Sequence, residues 1–145
     1  MLRGGREIWW ALGVGTLIAI VYGGVVFYTR AIPAAGELFG HGLGILGFIL
    51  MLMTEVLYSL RKRTRSASWG RMSSWLQFHI FTGLVGPFMV LLHSSWKFNG
   101  LAGAVTLLTI IIVISGIVGR YIFTRIPRTM DGLEIEGTLS EAALR

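Results

Sequence analysis

Four apolar runs dominate this 145-residue chain, covering residues 8–28, 38–60, 74–96 and 101–123. A helix that crosses a bilayer needs about 20 mostly apolar residues, so each run is long enough to span one. The connections, residues 29–37, 61–73 and 97–100, are short, which makes consecutive helices antiparallel neighbours. Trp9, Trp10, Tyr28, Tyr58, Trp75, Trp96 and Tyr121 fall near the ends of the runs, where amphipathic rings favour the membrane interface. The sequence therefore predicts an all-α polytopic membrane protein: a four-transmembrane-helix antiparallel bundle over residues 1–128 and a polar tail over 129–145. Only 14% of residues are charged, against about a quarter in a soluble domain.

The first run has the basic start of a signal peptide, Arg3 and Arg6, with Ala34-Ala35 downstream. Its apolar stretch is longer than a signal peptide's, so a retained helix is expected. Of the 13 Lys+Arg, 11 fall on one side of the predicted membrane, and Arg30 and Lys97 are the exceptions. The positive-inside rule then places both termini and the middle loop in the cytoplasm of an integral membrane protein. Under this reading the net charge of +6 is a topology signal with some attraction to anionic lipid, and no nucleic-acid partner is expected. There is no cysteine, which excludes disulfides, thiolate metal sites, iron–sulfur clusters and cysteine-attached haem within the chain.

Besides Arg120 near the inner end of the fourth span, four His or Glu side chains lie inside the predicted spans: His41 and Glu55 on the second, His79 and His93 on the third. Polar residues at such depths are costly and usually face other protein. Each pair is 14 residues apart, which is about 21 Å of helix and a net turn of about 40°, so each pair shares a face. In antiparallel helices His41 matches His93 in depth on the outer side, and Glu55 matches His79 on the inner side. Two imidazoles from adjacent helices are what a six-coordinate haem takes as axial ligands. Gly44 beside His41, and Gly83 and Gly86 on the third helix, would let a flat macrocycle approach the backbone. His41 and His93 are thus candidate iron ligands, with His79 as a candidate ligand of a second haem. Glu55 and His79 have two competing readings, a hydrogen-bonded buried pair and a proton-coupled quinone site. Arg120 is placed to pair with a haem propionate or simply to snorkel to the interface. Packing explains the same histidines and glycines without any cofactor.

Paired histidines 14 residues apart on antiparallel membrane helices resemble the membrane b-type cytochromes, including respiratory cytochrome b proteins and ferric-reductase-like transmembrane cytochromes. The stretches HGLGILGFILMLMTEVLYSLRKR, WLQFHIFTGLVGPFMVLLHSSWKFNGLAG and SGIVGRYIFTRIPR look similar to small bacterial haem-cytochrome membrane proteins, over residues 38–128. In those families four histidines hold two stacked haems, whereas Glu55 stands here in the fourth position. The resemblance implies haem b and electron transfer within a larger redox complex, with quinone or another redox subunit as partner. At most the chain would be the cytochrome b subunit of an oxidoreductase, because it carries no nucleotide or flavin motif. The alternative is a cofactor-free membrane anchor or assembly subunit.

Overall fold

A computed structural model of the protein describes residues 6–63 and 70–125. The described residues form four helices, α1 (Arg6–Thr29), α2 (Leu38–Arg63), α3 (Met72–His93) and α4 (Gly100–Arg125), and no strand. All four are long and apolar enough to cross a membrane. The predicted polar tail, with Asp131, Glu134, Glu136 and Glu141, lies outside the described residues. So do Arg3, Arg65, Arg128 and Arg145.

All four predicted spans agree with their helices to within three residues at each end. The third stops three residues early, at His93 rather than Trp96. Ser94 ends it: its backbone N–H turns back to the carbonyls of Val90 and Leu91, and its hydroxyl also donates to Leu91. Ser95 and Trp96 then take positive φ, 51° and 61°, which no helix continues through. What holds that turn is tertiary. The buried Ser95 hydroxyl donates to the Pro33 carbonyl at 2.7 Å, tying it to the segment before α2.

The chain forms two compact units, Met1–Ile110 and Ile111–Arg145, and α4 runs from one into the other. In the first unit α3 packs on both α1 and α2, and its contact with α2 is the more extensive. The interior mixes small and polar groups with a few larger apolar side chains. On α2 the buried residues are Gly40, Leu43, Gly47 and Thr54. Their spacing of three, four and seven repeats along one face of the helix. On α3 they are Thr82, Val85, Gly86, Met89 and Leu92. Many large aliphatic side chains point outward: Leu46 of α2 is 56% exposed while Thr82 of α3 is 1% exposed. This reversal suits lipid as solvent, because burying leucine among helices gains little when the surroundings are already apolar.

Two features bind α2 to α3. At Gly47 and Gly86 the backbones touch. A Cβ on Gly47 would meet the Gly86 carbonyl oxygen at 2.8 Å, and one on Gly86 would meet the Gly47 carbonyl oxygen at 3.0 Å. Deeper along the pair, the Thr54 and Thr82 hydroxyls lie 2.7 Å apart. Each also reaches a carbonyl of its own helix, Leu50 and Phe78, both at 2.8 Å. Two protons serve these three contacts, so one threonine donates across the seam while the other donates within its helix. Thr82→Val keeps the shape and deletes the cross-helix bond. It should cost about 0.6–1.7 kcal/mol, as interhelical hydrogen bonds in membranes do, read by reversible unfolding in mixed micelles.

Pro87 lies within α3, where it removes the N–H that would otherwise bond the Gly83 carbonyl, yet the helix continues to His93. On α4, the hydroxyls of Thr106 and Thr109 donate to the carbonyls of Ala102 and Val105, and Ser115 to Ile112. Each hydroxyl is satisfied within its own helix, as an apolar solvent requires.

Candidate functional site

The two histidines of α3 are held in the same way. His93 Nδ1 lies 2.8 Å from the Gly40 carbonyl oxygen of α2. His79 Nδ1 lies 3.3 Å from the Thr54 carbonyl oxygen of the same helix. A carbonyl oxygen accepts only, so each Nδ1 carries the proton and donates it. In a neutral imidazole the lone pair is then on Nε2. Gly40 and Thr54 are 14 residues apart, as His79 and His93 are, so α2 presents two matching acceptors to α3.

The surroundings of the two rings differ. The His93 ring lies directly over Gly44, where a Cβ would meet Nδ1 at 2.7 Å and Cγ at 2.8 Å. The His79 ring packs on Tyr58, with centroids 4.5 Å apart and planes tilted by 40°. Both histidines are half-buried.

The α2 partners expected at each depth are not the ones found. His93 bonds the Gly40 carbonyl rather than facing His41, and His79 bonds the Thr54 carbonyl rather than Glu55. His41 and Glu55 have exposed side chains, and no side-chain hydrogen bond of either is seen among the described residues. The buried face of α2 runs through Gly40 and Thr54. The residue after each is turned about 100° round the helix from it, off that face.

The glycines expected to make room for a macrocycle are occupied by protein. The His93 ring covers Gly44, the α2 backbone covers Gly86, and the Thr54 methyl lies 3.5 Å from where a Gly83 side chain would begin. Their smallness serves helix contact. The donor chemistry of the α3 histidines therefore suits an axial ligand, while the stretch of seam between Gly44 and Gly86 is closed. Arg120, the expected propionate partner, is a half-buried side chain of α4 in the second unit.

Two contributors to this site, Thr54 and Tyr58, are not among the expected site residues. Thr54 supplies both a carbonyl to His79 and a hydroxyl to Thr82, and Tyr58 supplies the ring under His79. Tyr58 is one turn beyond Thr54, a spacing that could have flagged both. Glu7 is buried in the first turn of α1, where the helix dipole favours a negative charge. Tyr22 is buried against Phe39 at 6.3 Å, and its hydroxyl has no hydrogen-bond partner among the described residues. Those residues also hold no group of three or more His, Cys, Asp or Glu side chains able to bind a metal ion. A haem needs only two such ligands.

The chain matches no protein-family model, no curated protein and no solved structure.

Proposed function

We propose that this membrane protein holds haem b and passes electrons as one subunit of a larger redox assembly. One observation carries the reading. Both α3 imidazoles give Nδ1–H to an α2 carbonyl, which orients each ring and leaves Nε2 as the ligating nitrogen. Ligating histidines generally have their second nitrogen fixed in this way. His93 is the first ligand in this reading; His41, turned off the α2–α3 seam, would serve as the second only from outside it, and His79 is available to a second haem. When bound, the haem would supply one-electron chemistry, and the chain would set its ligands and burial. The closed contact at Gly47 and Gly86 requires any macrocycle to lie outside that part of the seam. Glu55, exposed and next in sequence to the His79 acceptor Thr54, would with His79 exchange a proton with a quinone.

The closed seam favours a second reading, a cofactor-free anchor whose histidines only clamp α2 to α3. A reduced-minus-oxidised optical spectrum of the purified protein, with haem quantified as its pyridine complex, separates the two. One haem b per chain supports the His93 and His41 site, and two support an additional site at His79. No haem after expression with ample haem supply leaves the anchor. If two are bound, His79→Ala should remove about half, since one of two sites loses its ligand.

A further inference from the structure

We propose that the basic end of the α2–α3 pair is a binding site for one anionic phospholipid, with an acyl chain in a cleft between the helices and the phosphate at Arg61 and Arg71. The cleft has a volume of about 290 Å³ and is lined by Met53 and Leu57 of α2 and by Ser74, Trp75 and Phe78 of α3. It is open to its surroundings, and its described lining is mainly apolar, with the Ser74 hydroxyl and the Trp75 indole as polar groups. Trp75 and Phe78 meet edge to face, with centroids 6.1 Å apart, which gives it a firm aromatic wall.

The second observation is the charge at its mouth. Met53, Leu57 and Arg61 follow at intervals of four, so they form one stripe of α2 leading from the cleft to its end. Arg71 precedes the first turn of α3 and takes the N–H groups of Ser74 and Trp75 on its carbonyl. The guanidinium of Arg61 donates to the Gly70 carbonyl at 3.1 Å, which brings the two basic ends together. Lys62 and Arg63 add charge in the same last turn of α2. An apolar slot that leads into a basic collar at a helix terminus matches an anionic lipid along its whole length. The five lining residues carry few polar groups for a quinone head, and a zwitterionic lipid would gain less from the collar. The proposal rests on the membrane reading of the helices and is independent of haem.

The test uses the full chain in phosphatidylcholine vesicles, with Trp9, Trp10, Trp69 and Trp96 changed to Phe so that Trp75 alone fluoresces. Lipids with brominated chains are titrated in, either phosphatidylglycerol or phosphatidylcholine. The brominated anionic lipid should quench Trp75 at a several-fold lower mole fraction than the zwitterionic one. That preference should vanish in Arg61→Gln/Arg71→Gln, and also in Met53→Phe/Leu57→Phe, which fills the cleft and leaves the charge. Equal quenching by the two lipids overturns the proposal. A preference that survives filling of the cleft overturns it too, because it would report only general attraction to a basic surface. Should Arg61→Gln fail to fold, the unaltered collar decides: the preference must fall between 0.1 and 1 M salt, as screening requires. Insensitivity to salt overturns the proposal as well.

Discussion

Gly47→Val should separate α2 from α3 and leave little folded protein at temperatures the native chain tolerates. Its Cβ alone would lie 2.8 Å from the Gly86 carbonyl oxygen, 2.9 Å from Val90 Cγ2 and 3.0 Å from Met89 Cβ. The nearest of these is backbone and cannot rotate away. Overpacking a tight interior costs about 1–3 kcal/mol when side chains can adjust. Here the whole helix must shift, which also strains the Thr54–Thr82 bond and both histidine clamps. Gly86→Val should act in the same way, because its Cβ meets the Gly47 carbonyl oxygen at 3.0 Å. Gly23→Ala supplies the contrast. Nothing lies within 4 Å of its Cβ position, so it should be neutral or stabilise α1 by roughly 0.5–1 kcal/mol. Thermal aggregation of the detergent-solubilised protein reads all three.

The second large effect is expected at His93. Under the haem reading, His93→Ala abolishes the low-spin spectrum while the protein remains in the membrane. His41→Ala should do the same if His41 is the second ligand. An unchanged spectrum in either variant removes that residue from the ligand set. Gly44→Ala tests positioning with both histidines retained. The added methyl would sit 2.7–2.8 Å from three atoms of the His93 ring and must push it off the Gly40 carbonyl. A shifted or weakened haem signal would show that ring placement matters to the iron. Lost thermal stability with no spectral change would assign His93 to packing alone.

Hydropathy made the four helices legible, because a span of that length has few other uses. The end of α3 was less legible. Trp96 extends the apolar run, whereas the turn at Ser95 depends on a carbonyl 62 residues away in sequence. The 14-residue spacing also revealed that His79 and His93 share a face. Their partners were hidden because each is a backbone carbonyl, an acceptor that any residue offers. Periodicity relates residues within one helix but leaves open which way that helix is rotated toward its neighbour. The small residues Gly40, Gly47 and Thr54 set that rotation for α2, and it turns His41 and Glu55 outward. Gly44 and Gly86 were visible as close-approach positions, but glycine does not say whether a ring, a helix or a cofactor approaches.

The two histidine-to-carbonyl bonds also have a mechanical consequence. They join α2 and α3 at two points about 21 Å apart along the axes, as 14 helical residues require. Sliding one helix by a single residue's rise, or rolling it by a fraction of a turn, would break both bonds together. A single bond would act as a pivot, whereas two at this separation make the pair one stiff lever. The less extensive packing of α1 on α3 makes it the softer joint in this unit. A slip of α2 against α3 would therefore have to break the contacts at both ends of the pair at once.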